Sequence, residues 1–107
     1  MTGLAGADGA RAALEAEWLT LTREILPGLA RSRMWPVRAD HCFQRILLDA
    51  VTGGVWYDAI VGRPAYRCMD DALLDRAVAL GRDVVDRRAD LAALNRQSLA
   101  WRRARNG

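Results

Sequence analysis

The sequence contains no lysine: all 16 basic residues among its 107 are arginine. Phenylalanine and histidine occur once each, proline three times and cysteine twice. No run approaches the roughly 18 consecutive apolar residues of a membrane span. The first ten residues lack the basic end and apolar stretch of a secretory signal. These scarcities lead to the expectation of a cytoplasmic protein with no membrane partner. Cys42 and Cys68 fall in or beside predicted helix without the spacings of zinc or redox motifs, so they are expected to be reduced core residues. One histidine, no Cys-x-x-Cys and no Glu-x-x-His leave no recognised metal-ligand set, and neither metal nor cofactor is expected.

A chain of this length suits one domain. Hydrophobic residues at 51% and charged residues at 27% match ordinary globular chains, which excludes a disordered protein or a disulfide scaffold. The net charge is +3, with 13 acidic residues interspersed, so no helix is basic throughout. The all-arginine bias has two readings, GC-rich codon usage and anion recognition. The second has a chemical basis, because the planar guanidinium can hold a carboxylate or phosphate with two hydrogen bonds and can stack on an aromatic ring.

Residues 1–10 have no apolar period and read as a flexible N-terminus, leaving 11–107 as a single helical domain. Leu14, Trp18, Leu21 and Ile25 recur at the spacing of one helix face. Pro27-Gly28 is expected to end or sharply kink that helix. Leu29 to Arg38 reads as a basic connection around Trp35. Asp40 is a fair N-cap for a helix from His41 to about Thr52, stopped by Gly53-Gly54. Val55 to Val61 suggests two helical turns before Gly62-Arg63-Pro64. Asp70 or Asp71 opens the most regular helix, closed by Arg87 and Arg88, and Asp90 opens the last. The expected fold is all-α, a compact antiparallel bundle of four or five helices, helical over 11–26, 41–52, 71–87 and 91–103, with no sheet of three or more strands. Trp18, Phe43, Ile46, Leu47, Leu73, Leu80, Val84 and Leu94 are the expected core.

The unusual stretch runs from Trp35 to Tyr66. On a helical wheel the second helix turns Cys42, Phe43, Ile46, Leu47, Ala50 and Val51 to one side and His41, Arg45, Asp49 and Thr52 to the other. Leu48 sits in the middle of that polar face, which implies that the face is covered. Covered charges need partners, and Arg45 with Asp49 is the obvious i,i+4 pair. His41 and Cys42 are adjacent and point about 100° apart, which excludes a Cys-His dyad. The candidate site therefore comprises His41 as acid/base and Asp49 as a catalytic partner orienting Arg45, with Arg45 and Arg63 holding an anionic group and Trp35, Trp56 and Tyr66 as walls. An internally paired surface with no ligand is the competing reading of His41, Arg45 and Asp49, and ordinary core packing that of Trp35 and Trp56.

Trp-Pro-Val-Arg-x-Asp-His-Cys-Phe-x-Arg-Ile-x-Leu-Asp (Trp35 to Asp49), Arg-Pro-Ala-Tyr (Arg63 to Tyr66) and Leu-Asn-Arg-x-Ser-Leu-x-Trp-Arg (Leu94 to Arg102) resemble a family of small microbial proteins. Some members carry an acetyltransferase label. This chain departs from that label, having neither an alternating βα pattern nor the glycine-rich loop that cradles the coenzyme A pyrophosphate, so no catalytic residue is carried over.

The leading expectation is a small helical protein that binds a polar or anionic small molecule, with scope for acid-base chemistry. Two alternatives stand beside it: a non-enzymatic helical adaptor or homodimer subunit, and a nucleic-acid-binding accessory protein using the Trp101-Arg102-Arg103-Ala104-Arg105 tail. A ligand-binding protein would enclose the His41 face around a cavity. An adaptor would leave that face open, and a nucleic-acid-binding protein would gather its arginines on one surface.

Overall fold

The chain is all-α in the computed structural model, which describes the backbone of residues 2–107 and the side chains of residues 9–107. In order it forms α1 (Thr2–Thr20), a π-helical turn (Leu21–Ile25), α2 (Leu26–Ala30), α3 (Asp40–Thr52), a 3-10 turn (Trp56–Asp58), α4 (Ala65–Cys68), α5 (Asp71–Val85) and α6 (Leu91–Asn106). No strand occurs among the described residues. Nor is any helix there long and apolar enough to cross a membrane. The expected flexible terminus falls largely outside the described side chains.

Pro27 does not end the first helix. The backbone instead widens into the π turn, where the Leu26 N–H bonds to Leu21 O five residues back, and then continues helical to Ala30. The wide turn lies where the proline ring would otherwise meet the carbonyl four residues earlier. One extra residue in the turn rotates the apolar face. Trp18 and Leu21 are therefore followed inward by Leu26, which is 0% exposed, and not by Ile25, which is 39% exposed.

Both later helices open on the aspartates that the sequence marks. The Asp70 carboxylate accepts from Leu73 N at 2.7 Å, and Asp90 accepts from Ala92 N at 3.0 Å and Ala93 N at 3.3 Å. Asp40 differs: Ala39 holds the cap position, and Asp40 lies inside the first turn of α3, accepting from His41 N at 2.7 Å. α3 ends at Gly53, whose φ of +78° suits glycine and whose N–H returns to Asp49 O. Between Val55 and Val61 there is one 3-10 turn in place of the expected two helical turns, and α4 is an element that the sequence pattern did not announce. Arg87 and Arg88 lie beyond the end of α5. Its last carbonyls are held by Arg33, whose Nη1 and Nη2 donate to Val84 O and Val85 O at 3.0 and 2.9 Å.

α3 occupies the middle of the bundle, packing on the π turn and α2, on α5 and on α6, while α1 runs against α5. Phe43, Ile46 and Leu47 are fully buried, with Trp18, Leu26, Leu74, Val78 and Val84 around them. α5 is rotated slightly from its expected orientation. Leu74, Ala77, Val78, Gly81 and Val84 face inward, while Leu73 and Leu80 are half-buried, as is Leu94 of α6. The cysteines are not core residues: Cys42 is half-buried and Cys68 exposed.

Phe43→Ala is expected to cost about 3–5 kcal/mol of stability, as deletion of a buried ring does, and so to lower the denaturant midpoint. The π turn makes a sharper prediction. Leu26→Ala should cost about 2–5 kcal/mol, and Ile25→Ala on the order of 0.5 kcal/mol; an uninterrupted α-helix would reverse that order.

Candidate ligand-binding site

The outer face of α3 meets α6 over a buried carboxylate. Asp49 is 0% exposed, a placement that is costly for a charge unless every lone pair is used. Here they are used. Arg102 donates from Nε to Oδ2 at 2.9 Å and from Nη2 to Oδ1 at 3.1 Å, a two-pronged pair. Ser98 Oγ donates to Oδ2 at 2.6 Å, and the Trp56 backbone N–H donates to Oδ1 at 3.0 Å. Donation to the Asp49 carboxylate raises the Arg102 pKa above its ordinary value, against the opposing effect of burial.

Arg45 does not pair directly with Asp49. Its Nη1 donates to Ser98 Oγ at 2.7 Å and its Nη2 to Asn95 Oδ1 at 2.8 Å. Ser98 therefore stands between the two charges, accepting from Arg45 and donating to Asp49. The i,i+4 spacing put Arg45 and Asp49 on one face, but α6 crosses that face and supplies Arg102 as the carboxylate's partner. Leu48, 3% exposed, confirms that the face is covered.

Above this network lies a cleft of about 500 Å³ lined by His41, Gln44, Arg45, Leu48, Trp56, Arg63, Pro64 and Ala65. No acidic side chain is among its lining residues. Leu48, Trp56, Pro64 and Ala65 make an apolar floor and wall, and the Arg63 guanidinium lies 5.1 Å from the Trp56 ring centroid, in stacking range. The reversal that returns Arg63 over Trp56 passes through Gly62 at φ +108°, where a Cβ would stand 2.8 Å from Cys68 Sγ. His41 sits at the mouth with its side chain 80% exposed, Nδ1 3.7 Å from Asp40 Oδ1.

Four of the residues singled out in the sequence therefore share one cleft: His41, Arg45, Trp56 and Arg63. Asp49 lies beneath it, positioning Trp56 through the backbone and Arg45 through Ser98. Trp35 is elsewhere. Its ring meets the edge of Phe43 at 5.7 Å and lines a separate cleft of about 560 Å³ with Arg33, Arg87 and Arg88. Phe43 is two residues from His41, about 200° around the helix, so a ring packed on Phe43 cannot wall the His41 face. Tyr66 also misses the site. Its neighbour Ala65 lines the cleft, whereas Tyr66 packs against the core with Arg67 over its ring at 5.8 Å.

Asn95, Ser98 and Arg102 are the site residues that sequence reasoning missed. Their spacing puts them on one face of α6, and a serine within the stripe of Leu91, Leu94 and Trp101 was the available signal. The 3-10 turn carrying Trp56 is tied to the same helix: Arg105 grips Asp58 through Nε at 2.7 Å and Nη2 at 2.9 Å, and the Tyr57 ring lies 5.5 Å from Arg102 and 5.0 Å from Arg105. No group of three or more His, Cys, Asp or Glu residues that could hold a metal ion occurs among the described residues. Compared with protein-family models, curated proteins and solved structures, the chain matches none.

Arg102→Met keeps the aliphatic stem and removes the fork. It is expected to cost about 3 kcal/mol, the lower end for stranding one member of a buried pair, because water reaches the 24% of Arg102 that is exposed. The double variant with Asp49→Asn should cost less than the sum of the two single changes. A second expectation concerns acid. Hydrogen bonding to Arg105 lowers the Asp58 carboxyl below its ordinary 3.8, so the pair's contribution is complete above that value and is lost as pH falls through the depressed one. Chemical denaturation of the wild type and Asp58→Asn should accordingly differ at neutral pH and converge as the medium becomes more acid than pH 3.8.

Proposed function

We propose that this protein binds a small polar or anionic molecule in the cleft formed by His41, Arg45, Trp56 and Arg63. The observation that carries the reading is the state of Arg45. It is held from behind by two neutral acceptors, Ser98 Oγ and Asn95 Oδ1, and by no carboxylate among the described residues. An arginine placed to balance a buried charge would contact that charge, as Arg102 does. Arg45 makes no direct ion pair and shares with Arg63 the lining of a cleft whose volume of about 500 Å³ lies in the range of small-molecule sites.

In this reading Arg45 and Arg63 bind the anionic group, Trp56 and Leu48 contact the ligand body, and His41 is the proton-transfer candidate at the mouth. The distribution of arginines supports a small ligand over nucleic acid. Arg11, Arg33, Arg82, Arg102 and Arg105 are each bonded to partners within the fold, which occupies donors that a phosphate backbone would need. Cytoplasmic residence accords with this reading.

The test is a two-dimensional NMR titration with a panel of small organic anions. Binding is expected to move amide signals of residues 41–48 and 56–65 together. Arg45→Ala should weaken it about 10- to 100-fold, the worth of a charged hydrogen bond, and His41→Ala should diminish binding or turnover, both with an unchanged circular dichroism spectrum. Anions that leave those signals unmoved at millimolar concentration would overturn the proposal.

A further inference from the structure

We infer that the ligand class of this cleft is a flat aromatic carboxylate, selected by Arg45 for the carboxylate and by the Arg63–Trp56 stack for the ring. The inference rests on the reading of the cleft as an anion site and narrows its chemistry. Arg45 has five N–H groups, and its contacts with Ser98 and Asn95 use one hydrogen of Nη1 and one of Nη2. Its Nε makes no hydrogen bond among the described residues, and no side-chain polar atom there is both buried and without a partner. Nε is therefore not buried, and beside it Nη1 and Nη2 each keep one hydrogen that those two contacts do not use. A planar carboxylate with two acceptors matches such a fork.

Phosphate is less well matched. Arginine forks hold phosphate as they hold carboxylate, but phosphate sites often add clustered backbone N–H groups at a helix N-terminus, and in the first turn of α3, next to this cleft, the His41 N–H is already on the Asp40 carboxylate. The rest of the cleft is chiefly apolar. Leu48, Trp56, Pro64 and Ala65 provide surface that a hydrated oxyanion would leave uncovered and that an organic body would bury. Flatness is favoured over bulk because the Arg63 guanidinium carbon stands over the Trp56 ring, 5.1 Å from its centroid, within cation–π reach. A planar, weakly hydrated guanidinium held in that place offers a face on which a second ring can lie.

Calorimetric titration of the full chain with 2-naphthoate, cyclohexanecarboxylate, 2-naphthalenemethanol and inorganic phosphate tests this, with NMR recording whether residues 41–48 and 56–65 respond. The expected result is that 2-naphthoate binds at least about tenfold more tightly than each of the other three. Arg45→Gln, which keeps a polar side chain of similar reach, should weaken both carboxylates alike. Arg63→Ala should narrow the gap between 2-naphthoate and cyclohexanecarboxylate about three- to tenfold, in line with the worth of one stacking contact. Equal affinity for phosphate or for the saturated acid, with the cleft signals moving, would overturn the ligand class and leave the anion cleft standing. Equal affinity for the neutral alcohol would overturn the role of Arg45. If no compound moves the cleft signals, this inference and the functional reading beneath it both fail.

Discussion

A carboxylate at 0% exposure must have its lone pairs occupied by donors that the fold brings to it, and for Asp49 those donors come from two separate places. Ser98 and Arg102 belong to α6, and the Trp56 N–H belongs to the turn that follows α3. Satisfying this single charge therefore fixes how α6 crosses α3 and where the Trp56 segment folds back. The remaining geometry of the cleft follows. Arg45 reaches Ser98 because Ser98 is already held by Asp49, and Trp56 stands beside Arg45 because its backbone is tied to the same carboxylate. The clamp that stabilises the helix crossing also sets the positions of two groups facing the cleft.

Division of labour between the two arginines of this face follows from charge. Arg102 neutralises Asp49 and, with Arg105, packs against Tyr57, so its charge serves the interior. Arg45 is fastened by dipoles alone. A guanidinium held in this way has lost the entropy of ordering its long side chain on folding, so under the proposed reading an anion would not meet that cost again on binding.

The same chemistry explains where much of the arginine goes. Arg33 spans two terminal carbonyls of α5, Arg11 spans Tyr66 O at 2.9 Å and Met69 O at 2.8 Å around the end of α4, and Arg76 reaches Val51 O at 3.4 Å near the end of α3. Arg33 bridges its two carbonyls with both Nη nitrogens and Arg11 does so with Nη2 alone, each placing positive charge at the negative end of a helix. Arg11 also holds Glu15 and Asp71, and its pKa is raised chiefly by the bond to Glu15. Arg82 grips Glu17, joining α5 to α1. Arginine here is a structural fastener between helices, a use that composition alone did not distinguish from codon bias or anion recognition.

Local chemistry was sufficient for the sequence to determine the all-α class, the start of α5 at Asp70 or Asp71 and of α6 at Asp90, the stop at Gly53, and the division of α3 into an apolar face and a covered polar one. Each depends on neighbours within a few residues: an N-cap carboxylate, a left-handed glycine, a 3.6-residue period. The covering of the polar face was legible in Leu48 for the same reason. Decisions that depended on a distant partner were made by the tertiary structure. The π turn carries the helix past Pro27 and exchanges Ile25 for Leu26, because packing of the rotated face on α3 outweighs the local signal to stop. Trp35 goes to Phe43 and Tyr66 to the core, away from the cleft, because rings follow buried area. Asp49 takes Arg102, 53 residues away in sequence, over Arg45, four residues away on its own helix. Reach along one helix face permits a pair, and the crossing of a second helix, with a two-pronged fork aimed at the buried oxygens, decides which pair forms.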